Sequence, residues 1–511
     1  MNADVIITGA GPNGLLLAGE LAQAGLRPVL LEALPERPAE PKANGLVGRV
    51  VQAMDYRGLH ERLAGTARLT RMDGFQFGAL PLDLQRLAEH SMFALPIQQR
   101  LLEARLEEWA RELGVTVRHG HEVVDVRPDA DQVTVDVAGP AGTYSMSARY
   151  LVGADGAHSV VRKRSGIGFP GFTDTGFVGR MGQVGIDASV ADHKTGVLTV
   201  PGAGTFRPAT FTRTEHGLFA YGMFVPGVFR VAVHEWDQTV DESAPMTLAE
   251  LQESLERVLG GPVPLTAPPN GAELGLRRST DANSRLADKY RAGRVFLVGD
   301  AAHVQSGFGG PGLNLGMQDV LNLGWKLAGV LNGWADESLL DTYEAERRPV
   351  AARVQAQTRA QTALVGAGPN ITGLRDVMTE LLQDEPAIQR IADLMAGADI
   401  RYPAPGCDHP LAGRWMPDLP LREHGRVAEL MRSGRPVLLD FTGTLAETAQ
   451  PWRDRVDVYT DHTDTAPADA VLIRPDGYVA WAGSDGLVEA LTTWFGDALM
   501  PAGTPGGHLL S

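Results

Sequence analysis

The chain has 511 residues and carries 62 acidic against 46 basic side chains, a formal net charge of −16 at pH 7. This length predicts two or three domains, and the negative charge excludes nucleic acid as a partner because phosphates require a basic face. The single cysteine, Cys407, excludes an intramolecular disulfide and a cysteine-rich metal site, and we expect no metal centre.

The first predicted unit is a strand, a glycine turn, a helix and a second strand. Residues 5–8 form a β-branched run, helical spacing follows at residues 15–24, and residues 28–31 give the second strand. The turn lets backbone N–H groups approach a pyrophosphate at the helix N-terminus, and an acid after the second strand accepts a hydrogen bond from a ribose hydroxyl. We therefore predict a dinucleotide site formed by Gly9, Gly11, Pro12, Asn13, Gly14 and Glu32.

The start of the chain also predicts its compartment. Residues 1–4 contain no basic side chain, and the apolar run that follows is short and is broken by the glycine turn. We therefore expect neither a secretion signal nor a membrane span, and we predict a cytoplasmic protein without a membrane partner.

Two side chains beyond this unit are candidates for cofactor contact. Arg49 precedes a helical pattern at residues 50–56, where it is either a cofactor-facing cation or a solvated side chain, and its position alone favours the second. Gln99 lies on the first turn of an amphipathic helix predicted for residues 98–113. Strands predicted at residues 115–117 and 133–137 extend the unit.

The middle of the chain changes character. A buried strand predicted from residue 150 ends in Asp155, where an Asp-Gly pair alone indicates a turn. From residue 169 to about 270, strand-like runs alternate with Gly and Pro turns, which favours an inserted, mainly antiparallel sheet. Its aromatic residues, Tyr221 and Phe224 among them, either form a wall against a bulky flat ligand or belong to an ordinary core.

A second glycine-rich segment follows this sheet. A buried strand at residues 294–298 leads to Asp300 and then through a loop with glycines at 307, 309, 310 and 312 into a helix. A loop with so few side chains lets the backbone lie against a planar ring or a phosphate. Asp300 can accept a hydrogen bond from a ribityl or ribose hydroxyl, so we predict a second part of the cofactor site here.

The last third of the chain predicts a small separate domain. Residues 364–370 nearly repeat the first glycine motif, but a helix precedes them and no acid follows at the required distance, so we predict no second dinucleotide site. A proline-rich connector at 403–420 precedes strands at 437–441, 456–459, 470–474 and 478–481 and a helix at 487–494. The domain has no Cys-x-x-Cys pair, which favours a packing or oligomer-interface role over thiol redox chemistry.

Taken together, the motifs resemble those of a known family. Residues 9–14 with Glu32, Asp155 with Gly156, and Gly299 with Asp300 occur in the order and separation typical of class A FAD-dependent aromatic hydroxylases. Residues 150–162, 294–328 and 411–494 are similar to the bacterial polyketide-hydroxylase branch, which is related to rifamycin monooxygenases.

The resemblance implies an α/β fold with a Rossmann-like FAD-binding domain, an inserted antiparallel-sheet substrate domain and a C-terminal thioredoxin-like domain. We place the two parts of the FAD-binding domain at residues 1–168 and 276–402. The substrate domain then spans residues 169–275, and the connector with the thioredoxin-like domain spans residues 403–511.

The resemblance also implies roles for individual residues. Glu32 would bind the adenosine ribose, and Arg49 and Gln99 the phosphate and ribityl region of FAD. Asp155 would face the groove of the nicotinamide and flavin cofactors, and Asp300 would hold the ribityl chain. The residues at the flavin ring would be Gly310, Gly312, Leu313 and Asn314. Apart from the resemblance, we predict that Tyr221, Phe224, Phe308, Gly309 and Pro311 contact the substrate.

Two positions depart from the family pattern. A proline is usual where this chain has Gly307, and a glutamine is frequent where it has Pro311. Both departures lie in the loop nearest the expected flavin, so they bear on flavin mobility and on the outcome of the reaction.

The implied activity is monooxygenation. NAD(P)H, bound transiently, reduces FAD, O2 then forms a flavin hydroperoxide, and its distal oxygen passes to an electron-rich ring of an aromatic polyketide or similar phenolic compound. No catalytic side-chain nucleophile is expected, because the protein has only to position the ring and exclude water. A rifamycin-inactivating or Baeyer-Villiger monooxygenase, a non-oxygenating flavoprotein or binding protein of the same fold, and a homodimeric state all stay open.

Overall fold

A mostly parallel sheet forms the centre of the fold in a computed structural model, which describes residues 3–38, 43–236, 238–241, 243–307 and 310–498. Ala3–Thr8 pairs in parallel with Pro28–Glu32 on one side and Gly142–Gly153 on the other, and its residues 5–7 are fully buried. The carboxyl ends of these strands therefore meet at one edge of the sheet. Across the sheet the order is Arg291–Ala292, Val295–Leu297, Gly142–Gly153, Ala3–Thr8, Pro28–Glu32 and Thr116–His119, and Val133–Gly139 pairs with both Gly142–Gly153 and Glu122–Pro128.

Helices pack closely around the first strand unit. Pro12–Gln23 contacts Gln99–Glu112 and Pro311–Leu331. A Cβ at Gly19 would lie 1.9 Å from the ring of Trp109, so a glycine is required where the first two of these helices meet. The remaining helices are Arg49–Tyr56, Leu59–Ala64, Val160–Arg164, Leu248–Leu259, Asp341–Val365, Pro369–Leu381, Glu385–Ala396, Val427–Leu430 and Leu487–Phe495.

Two of these helices flank the second glycine motif, Asp341–Val365 before it and Pro369–Leu381 after it. No strand leads into this motif, so the structure confirms that it does not form a second strand-turn-helix unit. Within the described ranges, no helix combines the length and the apolar character needed to cross a membrane.

Short strands complete the N-terminal part. Gly45–Val47, Thr70–Arg71 and Phe93–Pro96 form a small sheet, and Gly74–Phe77 and Leu80–Asp83 form a hairpin. Gly171–Asp174, Ala282–Leu286 and His303–Val304 form a three-stranded sheet. A further hairpin consists of Leu198–Val200 and Gly204–Phe206.

The inserted segment forms an antiparallel sheet, as the alternation of strands and turns indicated. One face packs on the helix Leu248–Leu259 through a cluster of fully buried side chains, among them Phe219, Phe229 and Val231. The strands in order are Phe211–Arg213, Gly217–Val225, Val228–Trp236, Phe177–Ile186 and Leu265–Thr266, with Arg277–Ser279 also paired to Phe177–Ile186. The exact domain boundaries at residues 168, 275 and 402 stay predictions.

The C-terminal domain has the strand order of a thioredoxin-like fold. Asp457–Thr460, Val437–Asp440, Ala470–Ile473 and Val479–Gly483 lie side by side in that order. The first pair is parallel and the other two pairs are antiparallel. The helix Leu487–Phe495 contacts Val479–Gly483 and closes the domain, as the sequence predicted.

A buried ion cluster joins this domain to the N-terminal part. We call it the Glu346 cluster, and it consists of Lys326, Glu346, Arg474 and Asp476. The Nη1 and Nη2 atoms of Arg474 donate to Glu346 at 2.7 and 2.8 Å, and Nζ of Lys326 donates to it at 2.7 Å. This contact supports a packing role for the C-terminal domain.

Cys407 takes part in the contact between the connector and this domain. Its Sγ lies 3.5 Å from both the N–H and the carbonyl oxygen of Ala482. A serine hydroxyl offers the same donor and acceptor in nearly the same place. We therefore expect Cys407→Ser to change the free energy of unfolding by less than about 1 kcal/mol and to leave turnover unchanged. Urea unfolding and steady-state rates check this, and loss of activity in a folded variant would contradict it.

Candidate active site

A cleft of ≈ 620 Å³ opens at the carboxyl ends of the parallel strands. Ligands of open α/β sheets bind at this edge. The cleft brings together residues from the two ends and the middle of the N-terminal part. The predicted residues that line it are Gly9, Gly11, Pro12, Asn13, Glu32, Gln99, Asp155, Asp300, Gly312 and Leu313.

The glycine turn is packed too closely to accept side chains. A Cβ at Gly9 (φ +98°) would lie 2.4 Å from the carbonyl oxygen of Ala154, and a Cβ at Gly14 would lie 1.9 Å from that of Gly9. The helix Pro12–Gln23 starts after Gly11, whose Cβ position is open, and no described side chain caps this helix. Its first N–H groups are therefore available to a pyrophosphate.

Glu32 joins the end of its strand to the glycine turn. Its Oε2 accepts a hydrogen bond from the N–H of Ala10 at 2.6 Å, and its Oε1 accepts one from the N–H of Leu34 at 2.9 Å. An ionised carboxylate has about four acceptor sites, so it can also accept from a ribose hydroxyl in the cleft. The bond to Ala10 adds a structural role that the sequence did not indicate.

Asp155 caps the short helix Val160–Arg164. Its Oδ2 accepts hydrogen bonds from the N–H groups of Val160 at 2.7 Å and Val161 at 3.1 Å. Its Oδ1 is buried without a partner among the described residues. Burial raises the pKa of this carboxyl. An orphaned acceptor at the cleft wall fits a donor group of a bound cofactor.

Asn13 holds the turn that carries Asp300 against the first motif. Cβ atoms at Gly299 (φ +59°) and Gly316 would lie 2.0 and 2.4 Å from its Nδ2, so both glycines pack directly on its amide. The nearby helix Pro311–Leu331 also begins without a side-chain cap from the described residues. Asp300 and two uncapped helix N-termini are thereby placed at the same cleft.

A buried ionic chain supports this turn from behind. Asp319 accepts a hydrogen bond from the N–H of Gly299 at 3.3 Å and lies 2.6 Å from Nε2 of His303. Arg347 donates to Asp319 and to the hydroxyl of Tyr402, each at 2.8 Å. Burial opposes the ionisation of Asp319, but Arg347 and His303 hold its pKa below the usual range. These contacts thus connect the turn to Tyr402, immediately before the connector.

Arg49 does not reach the cleft, which corrects its assignment to the FAD phosphate. Its guanidinium lies 5.4 Å from the ring centroid of Trp415 in the connector and donates to Oε1 of Gln52 at 2.8 Å. Burial lowers the pKa of this guanidinium. The side chain leaves the first turn of Arg49–Tyr56 toward the C-terminal domain.

Asn314 also lies outside the cleft wall, as do Gly14 and Gly310. Its Oδ1 accepts a hydrogen bond from the N–H of Val47 at 3.0 Å, and its Nδ2 donates to the carbonyl oxygen of Gly310 at 2.8 Å. The amide therefore fastens the strand Gly45–Val47 to the start of a helix. This is a positioning role at the edge of the cleft.

The cleft wall also contains ionisable residues that the sequence did not single out. Glu107 behind the wall pairs with Arg37 and lies 3.1 Å from Nε2 of His119. Arg37 belongs to a proline-rich stretch with no distinguishing local pattern. The ionisable residues of this wall that were not predicted are Glu36, Arg37, Glu103, His119, His121, Glu122 and His158.

A second pocket of ≈ 530 Å³ joins the cleft at Ser306 and Gly307, which line both cavities. One wall is the face of the antiparallel sheet that carries Leu218 and His234. Another wall is the C-terminal part of the helix Asp341–Val365. A molecule in this pocket therefore lies beside a molecule in the cleft.

Tyr221 lies behind this pocket, which corrects its assignment to the substrate. Successive side chains of a strand point to opposite faces of a sheet. Tyr221 shares the face of Phe219, and its hydroxyl lies 2.9 and 2.8 Å from the carbonyl oxygens of Gly196 and Phe206. Of the other predicted substrate contacts, the side chain of Phe224 and the residues Phe308 and Gly309 lie outside the described residues, and Pro311 begins a helix.

Comparison with known proteins identifies the cofactor. Residues 2–358 match the family model described as an FAD binding domain, and residues 409–498 match that described as the C-terminal part of aromatic-ring hydroxylases. The chain belongs to the FAD-dependent aromatic-ring hydroxylases. It is a flavin-dependent monooxygenase by family, and its cofactor is FAD.

Several relatives align with almost the entire length of the hydroxylase. It is 41% identical to a 12-dehydrotetracycline 5-monooxygenase/anhydrotetracycline 6-monooxygenase of Streptomyces rimosus, over 98% of this chain and 100% of the relative. It is 39% identical to a rifampicin monooxygenase of Streptomyces venezuelae, over 97% and 99%. It is also 37% identical to a dialkyldecalin synthase of Streptomyces rugosporus, over 98% and 100%.

Solved structures give the same relationship for the fold. CabE, an aromatic hydroxylase from angucycline biosynthesis, matches with a TM-score of 0.84 at 36% identity, over 98% of the hydroxylase and 100% of CabE. These matches confirm the predicted fold class, including the thioredoxin-like domain.

FAD fits the cleft of the hydroxylase. The glycine turn and the uncapped start of Pro12–Gln23 suit its pyrophosphate, and Glu32 and Asp300 offer acceptors for its hydroxyl groups. The unpaired Oδ1 of Asp155 provides a further acceptor. The assignment of individual residues to parts of FAD stays a prediction.

The two departures from the family pattern lie near the junction of the cavities. Among the described residues, nothing lies within 4 Å of a Cβ built on Gly307, so their packing does not require a glycine there. Pro311 occupies the first turn of its helix, where its fixed φ and missing N–H are well tolerated.

The pocket of the hydroxylase contains a neutral histidine. Burial lowers the pKa of His234 to about 4. An unfolded histidine binds a proton near pH 6.5, so between about pH 6.5 and 4 the unfolded state holds more protons than the folded state. Stability therefore rises with pH in this window, and acidification from pH 7 to 4.5 removes up to about 2.5 kcal/mol through this residue.

We expect His234→Gln to lose correspondingly less stability than the wild type over the same pH range, because glutamine does not titrate. Urea unfolding of both proteins at pH 7 and at pH 4.5 measures the difference. Equal acid sensitivity of the two proteins would contradict the expectation.

Proposed function

We propose that the hydroxylase uses NAD(P)H and O2 to hydroxylate a phenolic ring of an aromatic polyketide or a similar natural product. The observation that carries this proposal is the shared wall at Ser306 and Gly307, which sets the second pocket against the FAD cleft. The tetracycline-pathway relative and CabE support a polycyclic aromatic substrate.

The residues of the chain bind and position the reacting molecules. Bound FAD, reduced by NAD(P)H, supplies the activation of O2. The start of Pro12–Gln23 holds the pyrophosphate and Asp300 the ribityl hydroxyls, so that the ring system reaches the junction of the two cavities. The walls of the second pocket then hold the substrate ring near the flavin and shield it from water.

The remaining partners follow from this chemistry. NAD(P)H binds transiently to the FAD-loaded enzyme, because the described chain contains one strand-turn-helix unit for a dinucleotide. We assign the enzyme to the cytoplasm, where this reductant is present, and we propose a homodimer as one assembly to examine by light scattering.

Labelled dioxygen tests the proposal. FAD-loaded enzyme is incubated with NAD(P)H, ¹⁸O2 and a panel that includes anhydrotetracycline, rifampicin and a polycyclic phenol. We expect faster NAD(P)H oxidation and one ¹⁸O atom in the product with at least one panel member. A label inserted between two carbons would indicate the Baeyer-Villiger outcome, and a labelled rifampicin would indicate antibiotic inactivation.

A non-oxygenating reaction is a second candidate, because the dialkyldecalin synthase is 37% identical over 98% of this chain. The same experiment separates the two functions. Conversion of a substrate without ¹⁸O in the product and without NAD(P)H consumption would support this candidate over hydroxylation.

A further inference from the structure

The pocket face of the antiparallel sheet continues beyond the second pocket. His234 lies opposite Gly179 and Leu218 on the neighbouring strands, and two residues further along lies Ala232, opposite Met181 and Ala220. The residues 230–233 alternate between half-exposed side chains on this face and fully buried ones on the other. Ala220, Gly222 and Ala232, which have small side chains or none, lie on this face beyond the pocket residue His234, and we call this strip the floor.

Arg230 stands at the far end of this floor. It follows Ala232 on the same face and lies opposite Gln183 and Gly222. Four residues of strand separate it from His234, which corresponds to about 13 Å. This span is too long for a single phenol ring and suits a fused ring system.

The guanidinium of Arg230 has an unsatisfied donor. Its Nη1 is buried and has no hydrogen-bond partner in the described parts of the chain. Burial and the positive charge of Arg277 both lower its pKa. Arg277 lies opposite Met181, on the same face of the sheet. A half-buried cation beside a second cation is unfavourable unless an anion neutralises it.

On the other face of the same sheet, a buried arginine has carboxylate partners. Arg180 points to that face and is buried, and it pairs with Glu235 and Glu250, each at 2.8 Å. The contrast with Arg230 indicates that the pocket face leaves its cation unpaired for a ligand.

We propose that Arg230, with Arg277 beside it, binds an acidic oxygen of a fused-ring substrate, such as a phenolate or an enolate. This contact orients the substrate so that its other end lies at Ser306 and Gly307, next to FAD. The inference rests on the proposed function, because it assumes that the pocket face receives the substrate, and it makes Arg230 a positioning residue.

A pair of probes that differ in charge tests this inference on the FAD-loaded enzyme. They are 1-anilinonaphthalene-8-sulfonate and its uncharged analogue N-phenyl-1-naphthylamine, with affinities measured by equilibrium dialysis. We expect the wild type to bind the sulfonate more tightly, and Arg230→Met to weaken sulfonate binding at least about tenfold while leaving the neutral probe unchanged. Arg230→Lys should retain most of the preference, and the control Arg207→Met, at an exposed position of the same domain, should retain all of it.

A wild type without preference for the sulfonate, or equal losses for both probes in Arg230→Met, would overturn the inference. The melting temperature of the FAD-loaded protein without probe gives a second readout. It should rise in Arg230→Met, because an unpaired charge leaves a half-buried site, and a fall would show that the guanidinium stabilises the fold instead. Neither readout requires turnover, so a charge-dependent site in a protein that incorporates no oxygen would contradict the proposed function alone.

Discussion

Arg474→Met is expected to lower the free energy of unfolding by about 3–5 kcal/mol. The guanidinium is fully buried and donates to both carboxylate oxygens of Glu346, and its Nε donates to Asp476 at 3.0 Å. Methionine preserves much of the volume but leaves two buried carboxylates with Lys326 as the remaining cation of the Glu346 cluster. An uncompensated buried charge is far more costly than the loss of an exposed ion pair.

Urea unfolding of the FAD-free protein measures this effect. Arg422→Met is the matched control, because Arg422 pairs with Asp464 at 2.9 Å on the surface, where the side chains are 68% and 88% exposed. We expect the control to change stability by less than about 1 kcal/mol. A similar small change for Arg474→Met would show that the Glu346 cluster does not stabilise the contact between the two parts.

Asp300→Ala is expected to weaken FAD binding by about 10- to 150-fold. The carboxylate lines the cleft at the turn held by Asn13, where it can accept from the ribityl chain. Hydrogen bonds to charged groups contribute about 1.5–3 kcal/mol, which corresponds to this range. The folded apoprotein should keep its stability, because Asp300 is exposed before the cofactor binds.

Reconstitution of apoprotein with FAD, followed by flavin fluorescence, gives the dissociation constant. Glu32→Gln is the comparison, because the amide oxygen can still accept the N–H of Ala10 while the charge is removed. We expect its effect on FAD to be smaller than that of Asp300→Ala. A normal flavin content in Asp300→Ala would contradict the assignment of this residue.

The parts of the site that the sequence predicts best are those fixed by local backbone. Gly9 and Gly14 are required by contacts within the strand-turn-helix unit or with the neighbouring strand, and a fixed spacing reveals them. Asp300 follows a buried strand, so its position at the edge of the sheet is also fixed locally. These residues line the cleft or form its turn.

The errors concern side chains whose direction depends on distant parts of the chain. Arg49 turns toward Trp415, more than 360 positions away, and no pattern near residue 49 encodes that contact. Tyr221 was assigned to the wrong face because both faces of its strand carry apolar residues. The Glu346 cluster was missed for the same reason, since Glu346 and Arg474 meet only in the folded chain.

The contact between the helix Pro311–Leu331 and the C-terminal domain also delays the completion of the fold during synthesis. The ring of Trp325 lies 6.1 Å from that of Phe495, so one side of the helix Pro311–Leu331 stays uncovered until the last described helix has left the ribosome. At about 5–20 residues per second, the interval between residues 325 and 495 lasts roughly 8–34 s. During that interval the surface around Trp325 stays exposed, and transiently exposed apolar surface of this kind favours aggregation.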